Sequence, residues 1–139
     1  MSQENVEVVR RAYRAWSEGD LETLIQACDP GVELHLPEGG LNVGIRRGPE
    51  AIRQFLQGLL EVWGDLSAEP EKVFEAGDQV VVFLRVRVRG KGSGVEVEAR
   101  PAHLITLRAD KATRIVVYPD PAKALEAVGL SEQDAHADS

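Results

Sequence analysis

The sequence predicts an α+β fold in which three N-terminal helices close against a curved antiparallel sheet. Three observations carry this. Residues 6–37 read as two helices and a strand joined almost without linkers, RRAYRAWSEGDLETLIQACDPGVELHLP from Arg10 onward. A third, broadly apolar helix follows Pro49. From Leu66 the chain turns to valine-rich, alternating segments separated by Gly and Asp turn signals.

In the first helix Val6, Val9, Tyr13 and Trp16 recur at spacings of three and four and share one face, which Val8 and Ala12 widen. Arg10, Arg11, Arg14 and Glu18 fall mostly elsewhere. Gly19 suits the left-handed residue that ends a helix, and Asp20 suits the N-cap of the next. Leu21, Leu24, Ile25 and Cys28 form the buried side of helix two, which Pro30 stops. Val32, Leu34 and Leu36 then alternate with Glu33 and His35, the period of a half-buried strand.

Residues 38–48 read as a glycine-rich loop carrying Arg46 and Arg47. Pro49 fits the first position of helix three, whose apolar face holds Ile52, Phe55, Leu56, Leu59, Leu60 and Trp63. A strand is expected over Leu66–Glu75, a tight turn at Gly77-Asp78, and the strongest strand signal over Gln79–Arg89. Gly90-Lys91-Gly92-Ser93-Gly94 is a hairpin loop, and one long strand runs from Val95 to Leu107 or Arg108. Ala109-Asp110-Lys111 turns the chain into a last strand, Thr113–Tyr118. Asp120-Pro121 starts a short closing helix that Gly129 ends. The reading is one domain over residues 1–130 and a polar, disordered tail over 131–139.

Composition narrows the function. With 139 residues the chain is long enough to bury about two thirds of its unfolded surface. A net charge of −7 disfavours a nucleic-acid partner, which would require a basic footprint. No apolar run approaches the roughly 18 residues of a membrane span, and the N-terminus lacks the basic and apolar regions of a signal peptide, so a cytoplasmic location is expected. The one cysteine, Cys28, excludes an internal disulfide.

Several short segments in this order resemble the nuclear transport factor 2-like superfamily, in particular its SnoaL-like branch of polyketide cyclase relatives. They are Ala12-Tyr13-Arg14-Ala15-Trp16 with Gly19-Asp20-Leu21, Asp29-Pro30 with Val32-Glu33, Arg47-Gly48, Ala76-Gly77-Asp78, and Tyr118 with Asp120. The resemblance covers roughly residues 3–128 and rests on order and spacing, not on one diagnostic motif. It implies a cone-shaped, cystatin-like fold with an internal cavity, often dimerising through the outer face of the sheet.

Relatives of this fold include ketosteroid isomerase, limonene epoxide hydrolase and many non-catalytic binding domains, so fold alone does not choose an activity. The isomerase resemblance places its aspartate base at Leu36, before Pro37, its tyrosine at Ala12 and its protonated acid at Ala102. Tyr13 is one residue, or about 100° of helix, from the tyrosine position, and His103 is one residue from the acid. The hydrolase resemblance matches its arginine to Arg100 but places its two aspartates at Ala102 and Val117. On both comparisons the carboxylates that would move protons are replaced by hydrocarbon.

The remaining polar groups read as follows. His35 alternates against Leu34 and Leu36 and is expected at the surface or in a structural role, with a pocket role as the alternative; His103 is expected on the sheet face opposite Ala102, at a dimer contact, with pocket catalysis as the alternative. His136 lies in the tail. Cys28 reads as a buried filler, and Asp120 as a helix cap. Arg85, Arg87 and Arg89 share one face of a strand, as do Glu96, Glu98 and Arg100 on the next. They form either a salt-bridged sheet end or a polar pocket wall with Arg87 and Arg100 inward. No metal cluster, phosphate loop or nucleophile–base pair stands at credible spacing, so neither metal nor cofactor is expected.

The candidate pocket residues are therefore Ala12, Tyr13, Trp16, Leu36, Phe55, Trp63, Arg87, Arg100, Ala102, Leu104 and Val117, with no catalytic residue assigned. The expected ligand is a small, largely apolar molecule, the expected assembly a homodimer. Isomerase-, hydrolase- or cyclase-like activity stands beside the alternative of a non-catalytic binding or dimerisation domain.

Overall fold

In the computed structural model, residues 2–37 and 43–134 are described. Part of the expected 38–48 loop, residues 38–42, and His136 in the tail lie outside them. The chain runs α1 (Ser2–Ser17), α2 (Leu21–Gln26), β1 (Cys28–Leu36), β2 (Gly44–Arg47), α3 (Pro49–Val62), β3 (Trp63–Ala76), β4 (Gln79–Gly90), β5 (Glu96–Ala99), β6 (Ala102–Arg108), β7 (Lys111–Tyr118) and α4 (Pro121–Val128). A 3-10 turn, Glu132–Asp134, follows.

The helix boundaries follow the expected chemistry. Gly19 takes a φ of 75°, in the left-handed region where a side chain would be strained, and breaks the chain between α1 and α2. Asp20 caps α2, its Oδ1 accepting from Thr23 N at 3.1 Å. Pro49 opens α3, and Asp120 caps α4 by accepting from Ala122 N.

Several boundaries differ from the sequence reading. Helix two stops at Gln26, and Cys28 already belongs to β1, paired with Ala112. Helix three stops at Val62; Trp63 adopts extended geometry and opens β3 opposite Gly90. The expected loop contributes a strand, β2, which pairs with β1. The expected long strand is interrupted at Arg100-Pro101, because proline has no N–H for the ladder. Its two halves, β5 and β6, keep one register against β4, with Leu84 N donating to Pro101 O across the gap. The expected tail begins with order, since the Ser131 N–H donates to Asp134 Oδ2 and Lys72 pairs with Glu132.

The seven strands form one sheet in the order β2-β1-β7-β6-β4-β3, with β5 also on β4. The meander β3–β4–β6–β7 is antiparallel, as its hairpin turns require. The sheet as a whole is mixed: β1 and β7, far apart in sequence, run parallel. The α+β architecture and the antiparallel meander of the sequence reading hold, and the β1–β7 pairing adds a parallel contact to the sheet.

Three apolar clusters hold these layers together. Val6 and Val9 of α1 pack on Val73, Val80, Val82, Leu84, Ile105 and Leu107 of the sheet's inner face. Ile25 of α2 and Ile52 of α3 pack with Val32 and Leu34 of β1. On the outer face, Ala124 and Leu125 of α4 cover Phe74, Val81, Ala102 and Leu104. Both faces of β4 and β6 are therefore buried along part of their length, which decides where the site residues fall.

Candidate functional site

Between the helices and the inner face of the sheet lies a cavity of about 300 Å³. Helix α1 contributes Val8, Val9, Ala12, Tyr13 and Trp16, and α3 contributes Ile52, Phe55, Leu56 and Leu59. Leu24, Ala27 and Cys28 line the cavity from α2 and the start of β1, and Leu66, Ala68 and Val86 from the long hairpin. Leu34 and Leu36 of β1, His103, Ile105 and Leu107 of β6, and Ile115 and Val117 of β7 complete the floor. Among the described residues this wall is hydrocarbon apart from Tyr13, His103, Cys28 and the indole nitrogen of Trp16.

Of the residues singled out from the sequence, the structure brings Ala12, Tyr13, Trp16, Leu36, Phe55 and Val117 into this wall. Five fall elsewhere. Trp63 is carried away because α3 ends one residue before it; its ring lies near Gly90 at the start of β3. Ala102 and Leu104 face outward under α4. Arg87 and Arg100 also lie on the outer face. The register pairs Arg87 with Glu98 and Arg89 with Glu96. Arg85 Nε sits 2.8 Å from Glu98 Oε1, and Arg87 Nε 3.4 Å from the same oxygen. Arg100 bridges Glu71 and Glu98 at 3.7 and 3.6 Å. This is the solvated, salt-bridged ladder of the two sequence alternatives, and its arginines do not reach the cavity.

The residue that sequence reasoning turned the wrong way is His103. A strand exposes alternate residues to alternate faces, so placing Ala102 inward sends His103 outward. The structure has the opposite parity, with His103, Ile105 and Leu107 inward. The signal that could have found it is β4, its partner. His103 pairs with Val82, and Val82 shares the inner face with Val80 and Leu84.

His103 meets Tyr13 there. The Tyr13 hydroxyl lies 2.6 Å from His103 Nδ1, with the ring centroids 5.9 Å apart. The phenol is the stronger acid of the two neutral groups, so Tyr13 donates, Nδ1 accepts, and the ring hydrogen sits on Nε2. Burial pushes the His103 ring down to about 4 and raises the Tyr13 hydroxyl well above its ordinary value. Both groups are neutral at physiological pH, as a low-dielectric wall without a counter-ion demands.

The other titratable candidates lie as expected. His35 stays outside the cavity, its Nε2 2.9 Å from Glu33 Oε1, and Arg47 binds the second oxygen of that carboxylate. Glu33 is accordingly held below the usual carboxylate range, first by His35 and then by Arg47. Cys28 is buried, and desolvation pushes its thiol up to about 11 against a smaller opposing pull from Lys111. Among the described residues no group of three or more His, Cys, Asp or Glu side chains is placed to hold a metal ion.

Comparison with known proteins matches residues 9–115 to the SnoaL-like domain family. An uncharacterised protein of Mycobacterium tuberculosis is 29% identical over 120 residues, covering 85% of this chain and 91% of that one. Among solved structures, TerC, co-crystallised with polyporic acid, is 30% identical and superposes with a TM-score of 0.76, covering 91% of this chain and 98% of its own. An NTF2-like protein of Burkholderia xenovorans is 28% identical with a TM-score of 0.74, covering 92% and 98%.

Proposed function

This chain belongs to the SnoaL-like domain family, and from that premise we propose that its cavity binds a small, largely apolar molecule. One observation carries the reading: an internal space of about 300 Å³ whose wall is hydrocarbon except at a few groups. Such a space suits a compact apolar body with one or two polar points. The co-crystallisation of TerC with polyporic acid supports a small molecule as the occupant.

The cavity wall holds no carboxylate among the described residues. Acid–base chemistry of the kind that paired aspartates perform therefore has no counterpart in it. Any isomerase-, hydrolase- or cyclase-like step would depend on Tyr13 and His103; without one, the domain is a binding module. Homodimerisation through the outer sheet face is proposed alongside, with light scattering as its check.

The test is a thermal-shift and calorimetry panel of apolar ring compounds, including polyporic acid, against the wild type and Ala68→Phe, which fills the space. A ligand at a hundred times its Kd stabilises by about 2.7 kcal/mol. Saturable stabilisation that Ala68→Phe abolishes is expected. No stabilisation by any compound, or binding indifferent to Ala68→Phe, overturns the reading.

A further inference from the structure

Resting on the binding reading and narrowing it, we propose that the Tyr13–His103 pair selects a weak oxygen acid on an apolar body. The class is a phenol, an enol or a carboxylic acid, and His103 shares the acid's proton in the bound state.

From α1 the titratable group facing His103 is Tyr13; from β1 the cavity wall holds Cys28. The parts of the wall supplied by α2, α3, β3, β4 and β7 are apolar among the described residues. Nδ1 of His103 is taken by Tyr13, while Nε2 has no hydrogen-bond partner among the described residues. The ring is thus a proton-accepting group held neutral, because the protein gives it no negative partner. Burial keeps it so, pushing it down to about 4.

A ligand can supply that partner. An ionised acid cannot enter a hydrocarbon wall as a bare charge, so it must arrive with a proton. In the empty cavity Tyr13 donates to Nδ1, and the ring hydrogen is on Nε2. When the acid binds, its proton lies between its oxygen and Nε2. The ring's own hydrogen is then on Nδ1 and is donated to the Tyr13 oxygen, and the phenol hydrogen turns away from the ring. The count is unchanged, with one hydrogen each from the phenol, the ring and the ligand before and after, and no net charge is buried. A ketone brings no hydrogen and takes only an ordinary bond from Nε2–H. A bond with ionic character is roughly twice as strong, so the acid is preferred.

The experiment uses three probes of like shape: 2-naphthoic acid, 2-acetonaphthone and naphthalene. Their binding is measured by calorimetry at pH 7 on the full chain, on His103→Phe and on Tyr13→Phe. In the wild type the acid, its affinity referred to the small fraction protonated at pH 7, should bind about tenfold more tightly than the ketone. His103→Phe should erase that preference, lower ketone binding toward that of naphthalene and leave naphthalene binding in place. Tyr13→Phe should weaken the acid selectively. Because this acid is ionised in solution, its binding should take up about one proton, read from the enthalpy in buffers of different ionisation heat, and the ketone none. The proton count needs only the wild type, so it stands even if a variant fails to fold. A ketone bound as tightly as the protonated acid, or acid binding without proton uptake, overturns the proposal and leaves the binding reading intact. If none of the three binds, both fall.

Discussion

The Tyr13 hydroxyl lies 2.6 Å from His103 Nδ1, joining the first helix to the sixth strand across 90 residues of sequence. The bond places the polar tips of two otherwise apolar contacts against each other within the cavity wall. Tyr13→Phe keeps the ring's packing and removes the donor, leaving Nδ1 without its partner. A destabilisation of about 1–3 kcal/mol is expected from equilibrium denaturation. A variant as stable as the wild type would show that the pair contributes nothing to folding.

The same pair sets a pH dependence. The unfolded His103 ring titrates near ~6.5, and burial brings the folded one down to about 4. Between those values the unfolded chain holds more protons than the folded one, so stability falls as pH falls. The contribution is complete above pH 6.5 and lost by about pH 4, a change of about 3 kcal/mol. Glu33 and Glu98, both held below the ordinary carboxylate range, add acid sensitivity of their own. The informative quantity is therefore the difference between wild type and His103→Phe, from denaturation midpoints between pH 4 and 8. That difference should vary with pH below 6.5; parallel curves would contradict a buried neutral imidazole.

Much of the architecture was legible in the sequence because it rests on local chemistry: Gly19 and Asp20 between two helices, Pro49 at a helix start, Gly77-Asp78 at a hairpin. The parity of β6 was not. Ala102, Leu104 and Thr106 alternate with His103, Ile105 and Leu107, and apolar residues stand in both sets because α4 buries the outer face and the cavity takes the inner one. A strand buried on both faces carries no two-residue signature of direction. One polar residue among apolar neighbours then reads as outward when it points in. The parallel pairing of β1 with β7 was hidden for another reason: it joins distant segments and leaves no local trace.

That assignment of faces is testable by paired truncation. Leu104→Ala removes packing under α4, and Ile105→Ala removes part of the cavity wall. Each should cost about 2–5 kcal/mol in stability. Only Ile105→Ala should change the affinity or size preference of a bound ring compound in titration calorimetry. Equal effects on binding would contradict the placement of Ile105 inward and Leu104 outward on β6.

The charged ladder on the outer face predicts the opposite profile. Glu98 touches Arg85, Arg87 and Arg100, but all four side chains are substantially solvated. Exposed pairs contribute little and are screened by salt. Glu98→Gln should leave the melting temperature close to that of the wild type, and ligand affinity should not respond to ionic strength through this site. A marked loss of affinity in Glu98→Gln would bring the arginines back into the binding surface.

Cys28 reports on the cavity without altering it. The residue is 8% exposed and lines the wall beside Leu24 and Ala27. Burial raises the thiol to about 11, with Lys111 offsetting only part of the shift. The thiolate is the reactive form, so alkylation by iodoacetamide at pH 8 should run far below the rate of an exposed cysteine. The rate should climb about tenfold per pH unit while the thiol remains mostly protonated. A ligand filling the space should slow it further, in proportion to occupancy, whereas Ala68→Phe should protect without any ligand. Intact-mass spectrometry of the native chain measures all three. Rapid labelling at pH 8, or labelling that neither ligand nor Ala68→Phe affects, would remove Cys28 from the wall.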